Sequence, residues 1–420
     1  MFSTIVSGYL FDKFKRSLLL SVAKFILAWT AIAIPWCSVY WLMLTVFFFL
    51  GAMVGATDAI ANAEVQRVWG KHGKPFMQGL QFMYSFGVSV APLVTIIFME
   101  SSSGDREVTL EHNLTLTNNS SILNKTLISQ NQSSPAGNES LVPEEFTFVR
   151  STELYKVFII GGSISLFSCA MHLIFYFKFD KWNKTTQKEN ETKTPTKSRL
   201  PLALQIQSIL LMAGIQALLT GIDDTWIAFL TTFCVKMFDW TKARGALLTS
   251  VSSFVAVVGR FMAIFLVQVI SPRKLVGIHS LFTLLVFIGF YISALYKSDI
   301  GMWIVSLVFG YAKAPVLACV FSWTDEVFLP VTGRISSLFI VFMTASSASN
   351  PLILGFLMDK FSNMWFCYLF LGESFLLVIV VVSALLLTRR VVRNYGTNYR
   401  PQDGVIKRKE RLPVIGTSTV

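Results

Sequence analysis

Long apolar runs alternate with short polar connections along most of the chain. A helix needs about 20 residues to cross about 30 Å of hydrocarbon, and runs of that length recur from residue 17 to residue 388. An apolar segment over 1–11 is too short to cross and is interpreted as the end of a helix. The pattern therefore predicts an all-α polytopic membrane protein with a partial helix and ten full spans, near 17–36, 39–63, 75–98, 154–177, 202–235, 245–270, 275–296, 301–322, 336–357 and 364–388.

Basic residues are concentrated in alternate connections. The chain has 36 Lys and Arg against 24 Asp and Glu, a net charge of +12. Since Lys and Arg are enriched in cytoplasmic loops, their distribution predicts that both chain ends are cytoplasmic. This distribution indicates that the partner of the chain is a lipid bilayer and not a nucleic acid. We expect a multi-pass protein of the cell membrane, with the apical surface as one option. The basic connections are 12–16, 67–74, 178–199, 271–274 and the tail from Arg389.

The connection 99–153 is long, polar and rich in Asn, Ser and Thr. Repeated glycosylation sequons in such a segment predict an exposed luminal loop that carries N-glycans. Asn183 and Asn190 also lie in sequons, but they fall in a predicted cytoplasmic segment and are expected to stay unmodified. The predicted glycosylation sites are Asn113, Asn118, Asn119, Asn124, Asn131 and Asn138.

The polar segment 178–199 is interpreted as a cytoplasmic linker between two helix bundles, 1–177 and 200–388, which a basic tail follows over 389–420. The second-to-last span of each bundle contains a similar stretch, Ala91-Pro-Leu-Val and Asn350-Pro-Leu-Ile, as expected for parallel repeats. The back bundle has six spans, whereas the front bundle has four and a partial helix. We therefore predict that the first helix and most of the second helix of such a fold are missing.

The most informative stretch lies within the second full span, where Gly51, Gly55, Asp58 and Asn62 fall on one helical stripe. Small residues let another helix approach closely. An intramembrane carboxylate is costly and usually marks a path for a substrate or an ion. Asp58 is therefore predicted to couple an ion, with Asn62 orienting the substrate. The alternative is that Asp58 lies near the end of the span and is hydrated there.

A second acidic pair, Asp223 and Asp224, lies within the span 202–235. Where a membrane helix breaks, carboxylates and freed carbonyls supply the oxygen ligands that hard cations prefer. The two acids are therefore candidate ion ligands, although at most one is expected to face a cavity squarely. The alternative is that the helix ends near Gly221 and the pair lies in luminal water.

Several other polar residues within the spans are candidates for substrate binding. Lys313 lies mid-span and must pair with an acid or face water, and Asp58 is a candidate partner. Gln78, Gln81 and Tyr84 share one helical face, and their amides and hydroxyl suit a sugar. Trp226 offers a ring for stacking. The full set of predicted substrate-binding residues is Asn62, Gln78, Gln81, Tyr84, Trp226, Lys313 and Asn350.

Three motifs resemble those of a known family. The turn from Gly8 through Asp12 to Lys15 and Arg16 resembles the major facilitator superfamily signature between its second and third helices. Gly259-Arg260-Phe261, with Pro272-Arg-Lys after it, is similar to the eighth-helix pattern of the fucose–proton symporter family. Asp58-Ala-Ile-Ala-Asn62 resembles that family's Glu-Thr-Ala-Ala-Asn. The whole chain most resembles the animal branch of this group, the sodium-dependent glucose transporters.

This resemblance implies a major facilitator fold and sodium-coupled symport of glucose or a related sugar by alternating access. It also implies that Gly8, Asp12, Lys15 and Arg16, together with Gly259 and Arg260, form a cytoplasmic gate. Sodium would be the co-transported ion, and the residues alone leave a proton equally open. No resident cofactor or metal is expected. One departure is the spacing in Gly221-Ile-Asp-Asp-Thr-Trp226, which is shorter than the family's.

Other functions remain as alternatives. The same cavity would suit facilitative passage of a small polar solute such as urea, and a chain without its first helix would suit a non-transporting variant. An enzyme is not expected, because the sequence shows no combination of nucleophile, base or metal ligands. The ending Ser418-Thr419-Val420 fits recognition by a PDZ scaffold, which captures a terminal carboxylate by strand addition.

Overall fold

The computed structural model describes residues 4, 9, 16–91, 94, 154–191 and 200–396. The long elements in these residues are helices. They are α1 (Arg16–Ala33), α2 (Tyr40–Trp69), α3 (73–91), α4 (Leu154–Glu191), α5 (Leu202–Phe238), α6 (Lys242–Val269), α7 (Pro272–Leu295), α8 (Asp299–Lys313), α9 (Val316–Trp323), a π-helical turn (Thr324–Phe328), α10 (Gly333–Lys360) and α11 (Trp365–Tyr395).

Within the described residues, nine helical segments are long and apolar enough to cross a membrane. They coincide with nine of the ten predicted spans. The tenth predicted span, 75–98, corresponds to α3, which is helical over 73–91. The all-α polytopic prediction is therefore confirmed. The predicted partial helix 1–11 lies outside the described residues, apart from residues 4 and 9.

The predicted linker differs from the structure in its first part. Helix α4 does not end near residue 177 but continues to Glu191, so the first part of the predicted linker is helical. This segment is rich in Lys, Gln and Glu, which are good helix formers even without an apolar face. Hydrophobic periodicity could not reveal a helix that presents polar residues all round.

The back bundle is more densely packed than the front bundle. Trp226 is 1% exposed and contacts the rings of Phe287, Phe290, Phe309 and Phe370. In the front bundle, by contrast, Trp41 and Phe48 are 72% and 68% exposed. Apolar rings facing outward from a membrane helix suit contact with lipid tails. The back bundle therefore provides a rigid wall for any site between the bundles.

The predicted span 301–322 is broken in its middle, between α8 and α9, at Ala314 and Pro315. Proline has no N–H to donate, so a helix around it leaves carbonyl oxygens short of partners. Neighbouring side chains re-satisfy such groups in membranes. Three donors from three other helices bond to carbonyls around the break: His279 Nδ1 to Ala312 O at 2.8 Å, Gln216 Nε2 to Leu317 O at 3.2 Å, and Gln78 Nε2 at 2.9 Å to Pro315 O, which also accepts from Cys319 N at 3.2 Å.

The two bundles contact each other beside this break, at the end of the molecule predicted to be cytoplasmic. Polar contacts run from α2 and α3 to α9 and the π-helical turn, and Met77 of α3 packs in the apolar core of the back bundle. Besides the Gln78 bond to Pro315, Gln66 Nε2 donates to Ser322 Oγ at 3.1 Å, and the Lys74 ammonium lies 3.0 Å from the Glu326 carboxylate. These contacts close the interface between the two bundles at that end, and this interface is called the seam below.

Candidate functional site

A cavity of about 430 Å³ lies between the two bundles, bordering the α8–α9 break. Its volume falls within the range usual for small-molecule sites. Helices α2 and α3 form one wall, and α5, α6, α9 and α10 form the other. The lining residues are Val54, Asp58, Ala61, Asn62, Leu80, Gln81, Tyr84, Thr220, Asp223, Asp224, Arg260, Leu317, Phe321, Ile340, Met343, Thr344 and Ser347.

The front wall carries the predicted Asp58 and Asn62. They are one turn apart on α2, and Asn62 Nδ2 donates to the Asp58 carbonyl oxygen at 2.9 Å, while Gln81 Nε2 donates to Asn62 Oδ1 at 3.5 Å. The Asp58 side chain interacts electrostatically with Lys24 of α1. An acid, an amide network and a neighbouring cation therefore meet on this wall.

The sequence predicted that another helix approaches α2 closely at Gly51 and Gly55. The structure has a close neighbour at Gly55 and none at Gly51. A Cβ built on Gly55 would lie 2.7 Å from Thr4 Oγ1, whereas one built on Gly51 would meet nothing within 4 Å. Thr4 belongs to the short apolar segment at the start of the chain. Thr4 therefore lies against α2 about one turn before Asp58.

On the back wall, Asp223 and Asp224 both line the cavity. Helix α5 continues to Phe238, so the helix does not end near Gly221, and the acids lie well inside it. Asp223 forms an ion pair with Lys313, and Asp224 accepts a hydrogen bond from Ser347 Oγ. Both acids reach the cavity because it wraps around the helix over more than the 100° that separates neighbouring residues.

The structure corrects the predicted partner of Lys313. Its ammonium pairs with Asp223 rather than with Asp58, and it also lies 5.4 Å from the centre of the Phe309 ring. Lys313 and Asp223 belong to the same bundle, so this pair can survive a movement of one bundle against the other. A bond from Lys313 to Asp58 would have crossed the cavity.

The structure also corrects the predicted role of Gly259 and Arg260 in a cytoplasmic gate. Arg260 is 7% exposed and lines the cavity, and its Nε is buried without a hydrogen-bond partner. It lies nine residues, or about 14 Å, before the end of α6 at Val269. Gly259 faces the helix break, where a Cβ would lie 2.8 Å from Ala314 Cβ. Arg260 therefore faces the centre of the molecule with a free N–H for a ligand.

Four predicted substrate-binding residues do not line the cavity, and one of them is Lys313, which pairs with Asp223. Gln78 is fully buried and bonds to Pro315 O and to Cys319 Sγ, the latter at 3.1 Å. Trp226 lies in the aromatic core of the back bundle. Asn350 is 5% exposed and lies behind the wall, next to Glu373. Gln78, Trp226 and Asn350 have side chains that suit a sugar. In the structure, however, each of them lies on a helical face that packs against protein.

Other predicted sites cannot be placed. Gly8, Asp12 and Lys15 lie outside the described residues, as do the six predicted glycosylation sites and the C-terminal Ser418-Thr419-Val420. Arg16 begins α1, but its side chain is not described. These assignments stay predictions.

Sequence reasoning missed the hydroxyl groups that α10 adds to the back wall. Thr344 and Ser347 line the cavity, and the signal for both was present in the polar stretch Thr344-Ala-Ser-Ser-Ala-Ser349. Such a run is unusual in a membrane span, where polar groups favour helix contacts or a cavity. Recognition of this polar run would have added α10 to the predicted site.

The charges around the cavity are balanced. Its three carboxylates are those of Asp58, Asp223 and Asp224, and the cations beside them are Lys24, Lys313 and Arg260. Amide, hydroxyl and guanidinium groups provide donors and acceptors, while Tyr84 and Phe321 provide rings. This combination suits an uncharged solute rich in hydroxyl groups.

Comparison with known proteins places the fold. No family model matches the chain. It is 21% identical to the mouse "Sodium-dependent glucose transporter 1A" over 361 residues, which cover 86% of this chain and 79% of that protein. It is 22% identical to the human "Sodium-dependent glucose transporter 1" over 369 residues, again 86% of this chain but only 65% of that protein. The chain thus spans less than two thirds of the human relative.

Two solved structures share this architecture. The major facilitator superfamily transporter FucP, in the outward conformation, matches with a TM-score of 0.65 at 16% identity, covering 92% of this chain and 86% of that one. The proton:xylose symporter XylE, bound to 6-bromo-6-deoxy-D-glucose, matches with a TM-score of 0.63 at 11% identity, covering 91% and 82%. These relatives and structural neighbours are transporters rather than enzymes.

Proposed function

From its major facilitator fold, we propose that this chain is a secondary transporter that moves a sugar across a membrane in symport with a cation. The observation that carries the proposal is the cavity between the bundles, to which both bundles contribute hydrogen-bonding groups. The names of the similar proteins support glucose as the sugar and sodium as the ion. Similar proteins described as sugar transporters support the class of substrate.

The arrangement of the cavity suits alternating access. A site between two bundles becomes open to either side when the bundles rock against each other. At the end predicted to be cytoplasmic, the seam is closed by the bonds of Gln66, Lys74 and Gln78 to the back bundle. Opening there must break these bonds, whereas the Lys313–Asp223 pair within the back bundle can persist.

The sugar would lie between the amides of Asn62 and Gln81 on one wall and Arg260 on the other. The buried, unpartnered Nε of Arg260 would gain an acceptor from a sugar hydroxyl, which removes the cost of leaving a buried donor unpaired. A ligand that contacts both bundles favours the state in which the two walls are close. Sugar binding would therefore promote closure of the cavity.

Coupling to the ion would use Asp58. An ion shifts an equilibrium only by its different affinity for the two states. Asp58 lies on the front bundle and faces the back bundle across the cavity, so movement of the bundles changes its surroundings. A cation bound at this carboxylate would compete with Lys24 for it.

The protein would lie in the cell membrane with both ends in the cytoplasm. The distribution of Lys and Arg supports this orientation, as does the cluster of sequons in the connection 99–153. That loop would carry N-glycans on the luminal or outer side.

Uptake by the full chain tests the proposed function. Cells that express it should accumulate labelled D-glucose above vector-transfected cells, unlabelled hexoses should compete, and labelled L-glucose should serve as the control for leakage. Replacement of sodium by choline should reduce accumulation. If labelled hexoses and pentoses enter no faster than L-glucose at verified surface expression, the proposed substrate class is wrong. If uptake occurs but ignores sodium, only the choice of ion is wrong.

A further inference from the structure

A partly buried acid, Glu373, lies outside the cavity. It follows Trp365, the first residue of α11, by eight residues, or about 12 Å along the helix. Its Oε2 atom is buried without a hydrogen-bond partner. The neighbouring side chain is Asn350 of α10, whose amide interacts with the Glu373 carboxyl, although no well-aligned hydrogen bond satisfies its buried Nδ2. An acid and an amide that satisfy each other incompletely thus lie side by side within the membrane-spanning region.

Several charged groups on the helices around Glu373 have partners other than Glu373. Helix α11 packs against α5, α7, α10 and the π-helical turn. None of the described cations forms an ion pair with Glu373. The nearby elements engage their titratable groups as follows: Asp223 with Lys313, Asp224 with Ser347, His279 with Ala312 O, Asp325 with Val331 N, Glu326 with Lys74, Arg334 with the Tyr9 ring and Lys360 with the Phe356 ring.

A charged carboxylate in these surroundings is costly, because no described cation forms an ion pair with it and lipid cannot stabilise its charge. Protonation removes that charge and weakens only the contact with the Asn350 amide. A water molecule between Asn350 Nδ2 and Glu373 Oε2 would accept from the amide and donate to the acid, and buried waters commonly satisfy such pairs. The site therefore fits a proton and a water better than a metal cation, which the amide N–H would repel.

The cluster is continuous with the back of the cavity wall. A Cβ built on Gly221 would clash with Ser346 Oγ and lie 3.1 Å from Asn350 Nδ2, so α5 and α10 touch here. Thr220 directly precedes Gly221, and Ser347 directly follows Ser346. Both line the cavity. Thr225, one turn beyond Gly221 on α5, is fully buried and its Oγ1 has no partner. Polar atoms thus extend from the cavity wall towards Glu373.

We propose that Glu373, with Asn350 and Ser346, forms a proton-binding site separate from the sugar cavity, which makes the transporter responsive to pH. The proton comes from bulk water through the cavity and returns to it. Helices α5 and α10 carry both the cavity wall and this cluster, so a change in the wall alters the surroundings of the acid. The two access states then differ in proton affinity, which is the requirement for a linked equilibrium.

Infrared difference spectroscopy of the purified full chain in lipid nanodiscs tests the proton site without any sugar. The wild type should show a carboxylic-acid band that disappears with rising pH, and Glu373→Gln should lack that band. The matched control is Asp299→Asn, which removes an acid paired with Arg244 whose side chain is 45% exposed. That variant should keep the band. Identical spectra for the wild type and Glu373→Gln would overturn the proposal.

Folding and transport provide the second readout. Glu373→Gln replaces a neutral acid with a neutral amide of the same shape, so its thermal stability should match that of the wild type. Failure to fold would show that a charged carboxylate is needed there and would also overturn the proposal. If sugar uptake is present, the variant should keep sugar exchange but lose at least half of its pH dependence. If the wild type moves no sugar, the proposed function fails while the infrared result still decides this site.

Discussion

The ammonium group of Lys313 and the carboxylate of Asp223 form an ion pair at the contact between α5 and the end of α8. Both side chains are largely buried, with 7% and 17% of their surfaces exposed. Each therefore neutralises a charge that would otherwise be isolated within the membrane-spanning region. The pair also ties the cavity wall to the break between α8 and α9.

Removal of one member of this pair should be more harmful than removal of both. Lys313→Met or Asp223→Asn leaves a buried charge without its partner, which typically costs about 3–5 kcal/mol. The double variant Lys313→Met/Asp223→Asn contains no uncompensated charge and should recover most of the stability. Thermal unfolding of the purified single and double variants measures this difference. Additive losses in the double variant would contradict the predicted coupling.

Asp58→Asn should separate ion coupling from sugar binding. The amide keeps the shape of the side chain but cannot carry the negative charge that attracts a cation. We expect the variant to lose gradient-driven accumulation and to retain sugar exchange. Asn62→Ala should instead weaken sugar affinity and preserve the dependence on the ion.

The control for this prediction is Asp359→Asn, since Asp359 is exposed near the end of α10. Uptake and exchange should be compared at matched surface expression. Full, ion-dependent accumulation by Asp58→Asn would transfer the coupling role to Asp223 or Asp224.

The spans and several cavity residues could be predicted because each depends on local features of the sequence. Apolar runs determine where helices cross, and an acid within such a run is visible as an exception. Asp58, Asn62, Gln81 and Tyr84 were found in this way, and all four line the cavity. Residue type and helical spacing sufficed where the polar face of a helix looks into the space between the bundles.

The partners of the polar residues could not be predicted, because they depend on how helices are rotated in the bundle. Gln78 shares a helical face with Gln81 in the sequence, yet it bonds to Pro315 across the seam. Trp226 resembles a stacking residue but completes an aromatic core. A single sequence gives the direction of a side chain on its own helix and not the neighbour that it meets.

Gln78→Leu should destabilise the contact between the bundles. The change removes the N–H group that donates to Pro315 O. Because that carbonyl keeps its backbone bond from Cys319 N, the expected cost is that of one hydrogen bond, about 0.5–1.5 kcal/mol. Thermal unfolding measures the loss. The control Gln268→Leu changes an exposed glutamine that bonds only within its own helix, to Ile264 O, and should have little effect. Equal stability of the two variants would argue against a role for Gln78 in joining the bundles.

Reversal of one charge in the Lys74–Glu326 pair should open the seam at the end of the molecule predicted to be cytoplasmic. The two groups lie 3.0 Å apart on different bundles, so Glu326→Lys replaces attraction with repulsion. Cys319 is fully buried beside Gln78 in the same seam and can report opening through alkylation by N-ethylmaleimide, quantified by mass spectrometry of its peptide. We expect faster alkylation in Glu326→Lys and a return towards the wild-type rate in Lys74→Glu/Glu326→Lys, because the double reversal restores the attraction. Cys367, buried in the back bundle away from the seam, should react equally slowly in all three proteins. A Cys319 rate that ignores both changes would show that this ion pair does not hold the seam closed.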